Sequence, residues 1–241
     1  MKLKRILKYL LFCILILSLG FLYSFSIKRN KQKKVKDIIV EFKDSEHNFL
    51  THAMVNKLLI QNKETVKNKA KSVIDLYTLE SNVSKNPYVE DASVYLTIEG
   101  VLKTTIKQRD PIARIVNGDD SYYVDRKGVK VPLSSNYSAR VMLVSGVEND
   151  KELKEILPLI NTILGDKFLK KEIVGIQKSD ANEFYFAVRS GDYKIDFGKL
   201  SEIDVKFKKL KAFYNKTFVD KSINNYKMIT VKYHNQVVCT K

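Results

Sequence analysis

Apolar residues run without a charge from Tyr9 to Ile27, YLLFCILILSLGFLYSFSI. At the helical rise per residue this is long enough for a hydrocarbon core of about 30 Å. Lys8 and Lys28 bracket the run, Arg29 follows, and Tyr9 and Tyr23 stand nearer its ends, where amphipathic rings favour the headgroup boundary. Lys8, Tyr9, Tyr23, Lys28 and Arg29 are therefore the expected membrane-interface residues. A cleaved signal peptide is the rival, with MKLKRILK as its basic segment. No small-x-small cleavage site follows, and the apolar stretch exceeds what such a peptide needs, so the pattern predicts an uncleaved anchor over 9–27. Residues 1–8 are then a short cytoplasmic tail and 28–36 a polybasic juxtamembrane linker.

Beyond Lys36 the periodicity changes. Ile38 to Phe42 is short and β-branched and predicts a strand. Met54, Val55, Leu58 and Leu59 recur at helical spacing behind a candidate N-cap, Thr51. Leu76, Leu79 and Val83 do the same behind Asp75, with Pro87 beyond the stop. Val89–Ile98 and Val101–Gln108 then alternate with period two across Glu99-Gly100. Strand, helix, helix, strand, strand is the order of a POTRA module, a small mixed sheet covered on one face by helices. Glu99 stands at a hairpin position where Asn would tolerate a positive φ more readily, which leaves the turn type open.

The remaining half, 111–241, predicts a second mixed α/β domain with a mostly antiparallel sheet. Tyr122 to Val124 runs into an Asp125–Gly128 turn, with Asp and Gly at the positions a β-turn favours. Lys151–Leu164 carries Leu153, Ile156, Leu157, Ile160 and Leu164 on one helical face, and Pro158 is expected to kink or shorten it. Strands are expected at Ile173–Gln177, Phe184–Val188 and Tyr193–Phe197. A helix over Ser201–Lys216 should bury Val205, Phe207, Leu210 and Tyr214. The final run, Tyr226–Val238, alternates apolar and polar and predicts one long last strand.

Charge adds less than its total suggests. The net charge is +16, but residues up to Lys36 hold ten basic side chains and no acidic one, which leaves the rest at only +6. With no helix-turn-helix, paired RNA-stacking aromatics or zinc set, nucleic acid is not an expected partner. Cys13 lies in the apolar run and Cys239 near the C-terminus, so an intrachain disulfide is implausible. Catalytic chemistry is thin as well. His47, His52 and His234 are scattered, Asp119-Asp120 fits a solvated turn, and GxSxG, HExxH, SxxK and phosphate-cradling Gly loops are missing. The expectation is a protein with no enzymatic activity, cofactor or small-molecule substrate.

Several segments together resemble the bacterial division protein family FtsQ, called DivIB in Gram-positive bacteria, and particularly its Bacteroidetes-type members. Asn86-Pro87-Tyr88-Val89-Glu90-Asp91-Ala92-Ser93-Val94 is similar to the family's junction from second helix to second strand. Gln108-Arg109-Asp110-Pro111-Ile112-Ala113 resembles the boundary between its POTRA domain, here 37–110, and its β domain. Tyr122–Gly128 and Val141–Gly146 follow in the family's order, and the C-terminal Asn235-Gln236-Val237-Val238 is similar to the end of its last strand.

The resemblance implies a non-enzymatic, single-pass scaffold at the division septum, anchored in the cytoplasmic (inner) membrane, with the N-terminus cytoplasmic and the folded domains periplasmic. Its implied partners are the single-pass proteins FtsL and FtsB (DivIC), which act with septal peptidoglycan synthases. Strand physics suggests how they are held. An exposed sheet edge offers unpaired N–H and C=O groups that an incoming strand satisfies. Tyr226, Ile229, Val231, Tyr233, Gln236, Val237 and Val238 are the candidate partner-binding residues, although a strand alternates faces and half such a set would pack on the core. Two rivals remain: an envelope assembly or transport module built on a POTRA unit, which predicts tandem repeats or a β-barrel, and a cell-wall enzyme.

Overall fold

The computed structural model describes residues 2–43, 48–61, 64–118, 120–219 and 222–241. The chain forms two compact units, Met1–Gln108 and Arg109–Lys241. His47 and Asp119 lie outside the described residues.

The first unit opens with α1, Lys2–Gln32, whose apolar side chains from Tyr9 to Ile27 are exposed, as a lipid-facing helix requires. Its stretch Lys8–Lys31 is long and apolar enough to cross a membrane. The expected linker over 28–36 is helical in its first part, to Gln32. Lys28, Arg29 and Lys31 continue the helix, where cations favour the negative end of the helix dipole. Val35 then docks at once: its side chain is buried and its N–H donates to the Lys69 carbonyl at 2.8 Å.

β1 (Asp37–Lys43), α2 (His52–Leu58), the two-residue strands β2 (Ile60–Gln61) and β3 (Glu64–Thr65), α3 (Leu76–Ser84), β4 (Val89–Leu96) and β5 (Val101–Gln108) complete the unit. Both expected caps are made. Thr51 accepts from the Met54 N–H and Asp75 from the Thr78 N–H, each satisfying a donor the first helical turn leaves free. The sheet order is β1-β5-β4, with β1 parallel and β4 antiparallel to the central β5. Val40, Val94, Leu102 and Ile106 meet Val55, Leu59, Leu79 and Val83 in one core, which fixes the helical layer on that face. In the β4–β5 turn it is Gly100 that takes the positive φ, +92°, so Glu99 needs none. A Cβ on Gly100 would lie 2.6 Å from the Lys34 carbonyl oxygen.

The second unit is a nine-stranded sheet with helices. In chain order it holds β6 (Pro111–Asn117), β7 (Asp120–Asp125), β8 (Lys130–Pro132), β9 (Met142–Ser145), α4 (Asp150–Gly165), α5 (Lys167–Glu172), β10 (Ile173–Lys178), β11 (Phe184–Val188), β12 (Lys194–Gly198), α6 (Ile203–Val219), β13 (Met228–Thr230) and β14 (Val238–Thr240). The strand order is β14-β13-β12-β11-β10-β9-β6-β7-β8. Three of its eight pairings are parallel, β6–β9, β9–β10 and β12–β13, so the sheet is mostly antiparallel. Ile156, Ile160 and Ile163 of α4 and Phe207, Leu210 and Tyr214 of α6 pack with Ile115, Val144, Ile176, Phe186, Ile195 and Ile229 of the sheet.

Two expectations for the helices are corrected. α4 runs unbroken through Pro158. That residue is exposed, on the outer side of the helix, and the Thr162 hydroxyl donates to the Pro158 carbonyl at 2.9 Å. Val205 is exposed rather than buried, while Phe207, two residues further and so on the opposite side of α6, enters the core.

Asp166 caps α5 by accepting from the Phe168 and Leu169 N–H groups. The Lys211 ammonium, 2.7 Å away, and these backbone donors hold its carboxyl below the usual carboxylate range. A carboxyl depressed on folding stabilises the protein above its unfolded pKa, near ~3.9, and loses that contribution as pH falls through the lower folded value. Thermal stability of Asp166→Asn should therefore fall less between about pH 4 and pH 2 than that of the wild type, measured in detergent by circular dichroism. Equal slopes would remove Asp166 from the acid response.

Candidate partner-binding edge

The predicted single strand over Tyr226–Val238 is not formed. The structure has two three-residue strands, β13 and β14, joined by a loop over 231–237 and paired antiparallel with Ile229 opposite Cys239. β13 lies parallel to β12, and β14 is the last strand of the sheet. The break has an identifiable cause in α6. The Lys209 ammonium reaches the carbonyl oxygens of Val231 at 3.0 Å and His234 at 3.2 Å, and that of Tyr233 as well. Three carbonyls converging on one cation cannot also serve a flat ladder, so the chain turns there. Lys232 is fixed from the other side by Asp196 at 3.1 Å and Glu183 at 3.5 Å. Gly198, at φ +70°, makes room, since a Cβ there would stand 2.6 Å from the Lys232 Cβ.

This geometry divides the candidate residues. Ile229 and Val231 are fully buried and belong to the core. Tyr226 is half-buried with its ring 5.8 Å from that of Phe213, and Val237 packs against the same core. Tyr233, Gln236 and Val238 are exposed. Cys239 points to the core side, where burial raises its thiol pKa, and Val238 and Thr240 take the opposite face. The surface that remains is thus the β14 edge with the loop residues Tyr233 and Gln236 beside it. His234, also in the loop, stands 3.2 Å from Glu202 at an exposed position.

Two other edges, those of β8 and β4, are less open to a new strand. β8 carries Lys130 and Pro132, and a proline offers no ladder donor. In the first unit the β4 edge is occupied at Val94, whose N–H donates to the Glu80 carboxylate at 2.9 Å. Among the described residues β14 has neither device.

Lys209 is a positioning residue, and no sequence motif announced it. Lys209→Met keeps the stem but removes the three acceptor contacts, and should loosen the 231–237 loop by about 1–2 kcal/mol. Faster amide exchange confined to 231–240, with α4 and β10 unchanged, is the expected result. Unchanged protection would show that the strands hold the loop without it.

A second polar group lies behind this region. The buried Glu172 carboxylate accepts from the Ser190 hydroxyl, from the Tyr214 hydroxyl at 3.1 Å and from the Tyr193 hydroxyl at 3.4 Å. The Tyr193 hydroxyl, with one proton, shares it between this carboxylate and the Tyr214 oxygen 2.7 Å away. Burial raises both phenol pKa values, so the hydroxyls stay protonated as donors at neutral pH. The network ties α5, the β11–β12 turn and α6 together. Its members are far apart in sequence and no spacing rule could have joined them.

The other predicted sites are placed as follows. Lys8, Tyr9, Tyr23, Lys28 and Arg29 are exposed on α1, the basic pair on its last turns. His52 opens α2 with its ring 5.0 Å from Phe42. Among the described residues no group of three His, Cys, Asp or Glu comes together as a metal set.

Comparison with known proteins agrees with both units. A model described as POTRA-like domain matches residues 33–107, and one described as FtsQ/DivIB, C-terminal related, matches residues 110–240. Cell division protein FtsQ of Geobacter sp. (strain M21) is 27% identical over 137 residues, covering 52% of this chain and 50% of the relative. The matched region thus spans about half the length of that curated protein. Since the FtsQ/DivIB model covers more than half of the chain, with the POTRA-like unit before it and a membrane-spanning type of helix ahead of both, the chain belongs to the FtsQ/DivIB family of cell division proteins.

Proposed function

We propose that this chain is a non-enzymatic scaffold of the bacterial division complex, held by α1 in the cytoplasmic membrane at the septum. Its N-terminus is cytoplasmic and its two folded units are periplasmic. The β14 edge receives a strand from FtsL- and FtsB/DivIC-like single-pass partners, and Tyr233, Gln236 and Val238 select it by their side chains. The observation that supports this most is a sheet that ends on an unguarded strand beside a loop already ordered by Lys209. Preordering matters because a docking strand then loses only its own conformational freedom.

Membership of a division family supports the cellular role. Depleting the protein in its native bacterium should give long cells with incomplete septa by microscopy. Cells that divide normally but have an altered envelope would contradict the proposal and favour an assembly or transport role.

A further inference from the structure

The end of the POTRA-like unit that meets α1 is built as an amphipathic rim. There is no slack between the two. The Lys71 N–H donates to the Lys33 carbonyl at 2.8 Å, the Ser72 hydroxyl to the Lys31 carbonyl at 3.2 Å, and Lys34 bridges Ala70. Where α1 leaves a bilayer, the 3-10 turn Lys71–Val73 is therefore beside it.

The β4–β5 turn comes to the same place. Lys71 Nζ donates to the carbonyls of Thr97 at 2.8 Å and Ile98 at 3.4 Å, and Lys33 Nζ reaches the Ile98 carbonyl at 3.4 Å. Ile98 is 76% exposed and Val73 57%. Two bare aliphatic side chains among lysines are a poor surface for water and a good one for a headgroup layer.

The charge points the same way. Residues 28–36 contain six basic side chains and no acidic one. Lys67 and Lys69 nearby are paired with Asp37 and Glu64, whereas Lys71 donates to the Thr97 and Ile98 carbonyls. The turn's one acid, Glu99, accepts from its own N–H and the Thr97 hydroxyl and offsets part of the charge of Lys33 and Lys71, which leaves Lys34 and Lys36 as the cations it does not reach.

We infer that this rim docks on the membrane that α1 crosses, with Ile98 and Val73 entering the interfacial layer and Lys33, Lys34 and Lys36 on anionic headgroups. The docked rim sets the first unit upright or tilted at the surface by lipid charge, independently of any protein partner. The inference rests on α1 as a membrane span and not on the partner edge.

The test uses the full chain in lipid nanodiscs, one copy per disc, with an environment-sensitive fluorophore on a single cysteine. A label on Cys13 in a C239S background reports the span, and a label on Ile98→Cys in a C13S, C239S background reports the rim. In discs rich in phosphatidylglycerol the Ile98 label should shift to the blue and be quenched by lipids spin-labelled near the headgroup. Phosphatidylcholine discs or about 1 M salt should weaken both signals. Lys33→Gln, Lys34→Gln and Lys36→Gln together should lower the docked-to-free ratio about a hundredfold, roughly fivefold for each lysine. A Cys13 label in lipid with an Ile98 label that stays water-like in anionic discs overturns the inference alone. A Cys13 label outside lipid overturns the span and takes the inference with it. Shielding of Ile98 that ignores lipid charge would overturn the headgroup role of the lysines.

Discussion

Ile229→Asp is expected to unfold the second unit and not merely to weaken a partner contact. Ile229 is fully buried in β13, opposite Ile195 of β12 and Cys239 of β14. A carboxylate placed there has no partner and must be desolvated or protonated, which costs roughly 3–5 kcal/mol or more. That is a large share of the ~5–15 kcal/mol by which domains are stable. Tyr233→Asp, at an exposed loop position, should leave the fold within about 0.5 kcal/mol of wild type and act on partner binding. Chemical denaturation of the two variants in detergent separates these results. If Ile229→Asp folds like the wild type, the register of β13 is wrong.

Gly146→Ala should have the next largest effect. Gly146 follows β9 at φ +77°, a conformation costly for any residue with a Cβ, and that Cβ would lie 2.2 Å from the Lys178 carbonyl oxygen at the end of β10. Backbone, unlike the tip of a long side chain, cannot swing away. β9 and β10 are parallel neighbours in the middle of the sheet, with Ser145 opposite Gln177, so relief of the clash must part them. We expect a loss of about 3 kcal/mol and a fall in Tm on the order of 10 °C. A change of under about 2 °C would mean that the two strands separate freely at that end.

The local features of this fold were legible in the sequence because they are decided within one turn or one strand. Thr51 and Asp75 cap their helices through residues three positions on. Asp125 makes its turn by accepting from the Lys127 and Val129 N–H groups. What sequence could not give was decided at long range. The alternation from Tyr226 to Val238 suits a strand, but Lys209, 22 residues before Val231, turns the loop away. β6 was not read as a strand, since Gln108–Ala113 was placed only by resemblance as a domain boundary; its Pro111 is tolerated as the first residue of a strand. β2 and β3, two residues each, are shorter than any period can reveal. The same distinction governs the candidate site. The alternation of the C-terminal run was readable, but which of its residues face the core followed only from the hairpin pairing.

That pairing makes the central claim measurable. The full chain in detergent would be titrated with the FtsL/FtsB-like pair of the same bacterium, while amide exchange is followed by mass spectrometry. The account predicts new protection concentrated at 238–240 and the 231–237 loop, abolished by Tyr233→Asp combined with Val238→Asp while the fold persists. Tight binding with no added protection at β14, or binding indifferent to both substitutions, would contradict edge pairing at this strand.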